Sequence, residues 1–206
     1  EIHKGHMREL EAYQKSFEAH GYNHLLALNN KPSLFNYICS DAYIGGLYDA
    51  GSGHLHPLKY LIGMSKAASI AGAKIYTNSS ISSIQTENNK NKLITKQGNS
   101  VTAEQLVICG NAYLGAVSPK NMSGRIAPVT SSVMATEPLN NTEIKSAIPS
   151  RAAIADGNTA LNYFRIDKQN RMIFGGRASY LNTDPINVEK DLKKRMRAVF
   201  PDLMHK

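Results

Sequence analysis

The 206-residue chain has no run of roughly 20 apolar residues, so no segment has the length of a membrane helix. No charged-then-apolar leader opens it, and the reading that follows is a soluble, unexported, cytoplasmic protein with no integral membrane segment. Cysteine is scarce. Cys39 and Cys109 stand far apart in apolar surroundings, which excludes a disulfide framework or a cysteine-rich zinc cluster and predicts buried thiols in a reducing compartment. Phosphate loops are missing as well. Gly51-Ser52-Gly53 begins a G-x-G-x-x-G pattern, but His56 stands where the third glycine belongs. No G-x-x-x-x-G-K-[ST] loop and no G-x-S-x-G elbow occurs, which argues against nucleotide hydrolysis and against an α/β-hydrolase.

What is present is a globular composition: 42% hydrophobic and 19% charged residues support a core and exclude bulk disorder. The net charge of +8 is scattered. Its densest cluster, Lys190, Lys193, Lys194, Arg195 and Arg197, falls on one late helix without interleaved aromatics, so it reads as a solvated face and no nucleic-acid partner is expected.

Periodicity and punctuation predict the elements. Leu10, Tyr13, Phe17 and His20 recur at helical spacing and stop at Gly21. Pro57 suits a helix's first turn, with His56 just outside; Leu58, Leu61, Ile62, Ala68 and Ala71 form an apolar stripe ending at Gly72. Short strands are expected at Lys74 to Thr77, Ile81 to Gln85, Leu93 to Lys96 and Val101 to Ala103. Leu106 to Cys109, apolar at every position, reads as a parallel strand buried on both faces, emptying into Gly110-Asn111-Ala112. Beyond Arg125 come alternating strands at Ile126 to Thr136, Ala152 to Asp156, Leu161 to Arg165 and Arg171 to Gly175, an antiparallel meander. A helix from Val188 to Phe200 puts Val188, Leu192, Met196 and Val199 on one face, and Pro201 closes it. The fold class is α+β with α/β elements: an antiparallel sheet flanked by helices.

Two constellations could carry chemistry. His54 and His56 share one face if their segment is extended, which suits two metal ligands, a bond to the following helix start, or a pair facing a cofactor or substrate. The metal reading lacks a third ligand at customary spacing. Tyr163 and Arg165 alternate on one strand face, and the facing strand ends Phe174-Gly175-Gly176-Arg177. A tyrosine and an arginine beside backbone bared by glycines suit a carboxylate-bearing ligand under a flat ring; equally, Tyr and Arg decorate solvent faces and paired glycines mark a twist or bulge.

Read in order, Tyr43-Ile44-Gly45-Gly46-Leu47-Tyr48-Asp49, Gly53-His54-Leu55-His56-Pro57-Leu58, Ile84, Cys109-Gly110-Asn111-Ala112-Tyr113, Ala135-Thr136-Glu137-Pro138-Leu139, Tyr163-Phe164-Arg165 and Phe174-Gly175-Gly176-Arg177 form a series. It resembles FAD-dependent amine oxidoreductases of the D-amino-acid oxidase superfamily, in the branch of gamma-glutamylputrescine oxidase. The resemblance runs from about Ser40 to Phe200. It implies FAD as cofactor, with a backbone contact to the adenine at Ile81 and adenosine-side packing at Cys109, Gly110, Asn111 and Ala112. Asn111 stands where many superfamily members have glycine. The antiparallel sheet would roof the substrate over the flavin, with Tyr163, Arg165, His54 and His56 as catalytic or orienting groups and Thr136, Phe174, Gly175 and Gly176 lining the substrate.

The implied reaction takes a hydride equivalent from a carbon bearing an amine, giving an imine that hydrolyses, while dioxygen or another electron acceptor reoxidises the flavin. The family's opening G-x-G-x-x-G unit and its later glycine-rich turn are both absent. The resemblance therefore implies an internal fragment that alone binds FAD poorly and is inactive, divided into a lead-in helical segment at 1–40, partial FAD-domain elements at 41–118, and the substrate-binding sheet with its closing helix at 119–206. The competing reading is a stand-alone small-molecule binding or regulatory module without redox activity.

Overall fold

Helix-end chemistry is the strongest local signal in the chain, and the structure, a computed structural model, follows it closely over the residues it describes, 4–118, 124–179 and 187–203. Helix α1 (Lys4–Ala19) ends just before Gly21, whose φ of 77° is the left-handed conformation a helix stop uses. The chain then forms strand β1 (Leu26–Asn30), the short helix α2 (Lys31–Leu34) and strand β2 (Gly45–Asp49). Strands β1 and β2 pair antiparallel, Leu26 facing Asp49 and Asn30 facing Gly45.

Two compact units divide the chain, Glu1–His54 with Val129–Lys206 and Leu55–Pro128. The second contains helix α3 (Pro57–Ile70) and strands β3 (Ile81–Glu87), β4 (Lys90–Thr95) and β5 (Ser100–Ala103), paired antiparallel in the order β3-β4-β5. Asn88 and Asn89 both take positive φ, 50° and 57°, as a two-residue hairpin turn demands. Two expectations need correction here. Lys74 to Thr77 is not a strand. Leu106 to Cys109 is not one either: Val107 is 82% exposed, and no described strand lies beside the run to bury it. The stripe of α3 exists in sequence, yet the helix buries no residue.

The first unit holds the larger sheet, built from strands β6 (Thr130–Pro138), β7 (Ile154–Ala155), β8 (Tyr163–Ile166) and β9 (Arg171–Ser179) in the order β6-β9-β8-β7, all antiparallel. Consecutive strands β7, β8 and β9 meander as expected, while β6 pairs with β9. Helix α4 (Asn141–Ala147) starts on a capping box in which the Asn140 side chain accepts from the Thr142 and Glu143 backbone N–H groups and Glu143 accepts from the Asn140 N–H. Helix α5 (Val188–Val199) packs Leu192, Met196 and Val199 onto one sheet face, where they meet Phe164, Met172 and Phe174. Burying each large side chain there contributes about 1.5–3 kcal/mol. Ser40 donates to the Val199 carbonyl at 2.7 Å, which ties the segment before β2 to the end of α5.

Neither thiol is fully buried, contrary to the sequence reading. Cys39 is half-buried, and burial pushes its thiol up; Cys109 is exposed because the run preceding it joins no sheet. No described helix is long and apolar enough to cross a membrane.

The turn from β8 to β9 is closed by Asp167, whose carboxylate accepts from the backbone N–H groups of Gln169 and Arg171 and from the Arg171 guanidinium at 2.7 and 2.9 Å. Burial pushes this carboxyl up, but the Arg171 and Gln169 donors together outweigh that and hold it below the ordinary carboxylate range. A depressed pKa stabilises the fold above the unfolded value of about 3.9, and the contribution is lost as pH falls through the lower folded value. Asp167→Asn is therefore expected to cost about 1–2 kcal/mol at pH 7 in urea denaturation, with the gap to the parent closing below about pH 4. A gap that stays constant with pH would show that the charge is not what closes the turn.

Candidate active site on the open sheet face

Strand β8 alternates strictly: Phe164 and Ile166 are buried and Tyr163 and Arg165 half-buried, so the latter two occupy the face turned away from α5. Their cross-strand partners on β9 are Gly175, opposite Tyr163, and Ile173, opposite Arg165. Gly175 in turn faces Val133 on β6. The tyrosine ring lies across β9, and its hydroxyl donates to Ser131 Oγ on β6 at 3.4 Å. That path is open only because Gly175 has no side chain: a Cβ there would fall on the ring, 2.7 Å from its hydroxyl oxygen.

Arg165 is held from the other side by His54. Its Nη1 lies 2.8 Å from His54 Nδ1, and His54 Nε2 lies 3.3 Å from the Arg151 carbonyl oxygen. A guanidinium only donates and a carbonyl only accepts, so the ring is neutral, with the proton on Nε2 and Nδ1 accepting. Among the described residues no carboxylate pairs with Arg165; the ion pairs lie elsewhere, at Lys31–Asp41, Arg171–Asp167 and Lys193–Glu189. His54 also borders a pocket of about 350 Å³, with Tyr43, Tyr48, Asp49, Ala152 and Asp156 among its walls.

The other predicted residues are placed differently. Phe174 projects to the opposite face, fully buried against Phe164. Gly176 also lies on the buried side, where a Cβ would press on Asn162, itself hydrogen-bonded to Arg195. Thr136 is buried; its hydroxyl donates to the Glu137 carbonyl and accepts from the Met172 N–H, bridging the irregular pairing of β6 and β9. His56 belongs to the second unit and accepts from the Lys59 N–H at 3.4 Å as the cap of α3, the helix-start role left open by the sequence. Among the described residues no group of three or more His, Cys, Asp or Glu could hold a metal.

In the same second unit, Ile81 opens β3 opposite Thr95, with a bulge just after it. Cys109 and Gly110 lead into a 3-10 turn at Asn111–Tyr113. Asn111 takes φ of 48°, a left-handed conformation that asparagine tolerates. Asn111 and Ala112 are exposed. Sequence reasoning missed Asp49, although Asp49-Ala50-Gly51-Ser52 carries the composition of an Asx turn.

Comparison with known proteins places these observations. The family described as FAD dependent oxidoreductase, DAO, matches residues 2–206. The chain is 33% identical over 202 residues to the probable oxidoreductase OrdL of Haemophilus influenzae, covering 94% of this chain and 44% of that protein. It is 31% identical over 194 residues to gamma-glutamylputrescine oxidoreductase of Escherichia coli, covering 94% and 45% respectively. The chain thus spans less than half the length of these curated relatives. Glycine oxidase from Geobacillus kaustophilus shares the fold, with a TM-score of 0.78 at 16% identity over 99% of this chain and 54% of that one.

Gly175→Ala should displace the Tyr163 ring from the sheet and cost about 1–3 kcal/mol in urea denaturation. Combining it with Tyr163→Ala should relieve the clash, leaving the double variant no less stable than Tyr163→Ala alone. Additive losses would mean that Gly175 is required for some other reason.

Proposed function

Because the chain belongs to the DAO family of FAD dependent oxidoreductases, we propose that the protein carrying it oxidises a small amine or amino-acid-like substrate bearing a carboxylate. Gamma-glutamylputrescine, named for the Escherichia coli relative, is one such compound. One observation carries the reading: a charged arginine on an open sheet face, held by a neutral histidine and unpaired with any described carboxylate.

In this reading Arg165 binds the substrate carboxylate through the donors that His54 leaves free. Tyr163, flat across β9, forms the floor beside it, and Val133 and Ala135 give that face an apolar surface that favours exclusion of water. His54 orients the guanidinium without supplying a charge of its own. Ile81 and the Gly110-Asn111-Ala112 turn would hold the adenosine end of FAD, with Asn111 and Ala112 exposed at that turn. Bound FAD would accept the hydride leaving the amine-bearing carbon, and dioxygen or another acceptor would take the electrons onward.

The test uses the whole FAD-loaded protein and a panel of amines with and without a carboxylate. Arg165→Gln is expected to raise KM for a carboxylate-bearing substrate by about 30- to 150-fold, the equivalent of roughly 2–3 kcal/mol, while amines lacking a carboxylate change little. Equal effects on both classes would reject the assignment of Arg165.

A further inference from the structure

His54 reaches Arg165 from a segment with little to hold it. Strand β2 ends at Asp49, and Ala50, Gly51, Ser52 and Gly53 are all exposed before His54. Two glycines in four residues make such a loop costly to order, since each fixed residue gives up about 1–2 kcal/mol of conformational entropy. What closes the loop is the Asp49 side chain. Its Oδ1 accepts from Tyr22 Oη at 2.7 Å and from the Gly51 N–H at 2.8 Å, and its Oδ2 accepts from Ser52 Oγ. The Ala50 N–H donates to the Leu25 carbonyl at 2.9 Å, so the root of the loop is tied to the segment leading into β1. Close packing reinforces the knot: a Cβ on Gly51 would press on the Tyr22 hydroxyl and the His24 ring.

We propose that Asp49 is a positioning residue for the carboxylate site: by folding the Ala50–Gly53 loop back on itself it delivers His54 to Arg165 and thereby fixes the direction of the guanidinium. This rests on reading Arg165 as the substrate-carboxylate residue. The hydrogen bond from Ser52, followed by that from Tyr22, holds the Asp49 carboxyl below the ordinary range, while the same carboxylate pushes the Tyr22 hydroxyl up. Both directions describe one arrangement, a charged acceptor surrounded by neutral donors that keep their protons. Asp49 therefore shapes the loop without competing for Arg165, with which it forms no ion pair.

Acetate serves as the carboxylate probe and methylammonium as the carboxylate-free control, with binding to the whole FAD-loaded protein measured by calorimetry. Asp49→Ala should weaken acetate about tenfold, His54→Ala by a similar factor, and the double variant no more than His54→Ala alone, because both changes break one chain of contacts. Asp49→Asn should return acetate affinity to within about threefold of the parent, since its amide oxygen still accepts from Tyr22 and Gly51. Ser52→Ala, which leaves Asp49 in place, should weaken acetate about two- to threefold and keeps the test open if Asp49→Ala does not fold. Methylammonium binding should not change in any of them. Multiplicative losses in the double variant, or parent-like acetate binding in Asp49→Ala and Ser52→Ala while Arg165→Gln abolishes it, would overturn the positioning role and leave Arg165 standing. Unchanged acetate binding in Arg165→Gln would remove the underlying reading, and the inference with it.

Discussion

The stack between Phe164 and Phe174 sets the register on which the site depends. Their rings lie 5.4 Å apart and nearly parallel, 3° between planes, with Phe200 edge-on to Phe164 at 5.1 Å. Side chains on a strand alternate faces, so anchoring Phe164 inward sends Tyr163 and Arg165 outward, and anchoring Phe174 inward brings Gly175 under the tyrosine ring. Moving β8 by one residue would expose its phenylalanine and bury an unpaired guanidinium. The lost burial and the buried charge together oppose that slip by on the order of 10 kcal/mol, comparable to the entire stability of an ordinary domain. The candidate face is thus specified from behind, by the aromatic core it does not touch.

Features written into a few adjacent residues were legible in the sequence. Gly21 and Gly72 take the left-handed conformations expected of helix stops, Pro57 sits in the first turn of α3, and Asn88-Asn89 turns the hairpin. The buried face of α5 emerged at Leu192, Met196 and Val199 because helical periodicity survives in its sequence. The capping box of α4 was equally available in Asn140-x-x-Glu143. The β1–β2 pair was not, since two five-residue strands joined through α2 and a further loop carry no local turn signal. Leu106 to Cys109 marks the opposite limit: an apolar run reports a capacity for burial, but the partner that would bury it is not written in the run. The same is true of α3, whose leucines are apolar by sequence and exposed in the fold.

Within the candidate site, alternation revealed Tyr163 and Arg165, and applied one strand further it separates Gly175 from Phe174, which the motif reading had grouped. The histidine pair shows why spacing alone could not choose between roles. His54 and His56 are two residues apart, yet one contacts an arginine 111 positions later and the other caps the helix that begins at the next residue. The contact across 111 positions depends on where the loop after β2 runs beside β8, information that no local pattern carries. Thr136 illustrates the same limit, since its hydroxyl is committed to a break in the β6–β9 ladder that becomes visible only once the register is known.

The choice of a neutral partner for Arg165 has an energetic consequence. Two opposite charges 4 Å apart attract by about 4 kcal/mol at an effective dielectric constant of 20, so a resident carboxylate beside Arg165 would have to be displaced, or its attraction shared, before an incoming carboxylate could bind. A neutral imidazole accepting one N–H fixes the direction of the fork and leaves the full positive charge and the remaining donors exposed to a ligand. Asp49, the nearest acid in sequence to His54, is occupied by Tyr22, Gly51 and Ser52. That occupation keeps its charge in the loop and off the guanidinium, so the structural role of Asp49 and the openness of Arg165 are two results of one arrangement of hydrogen bonds.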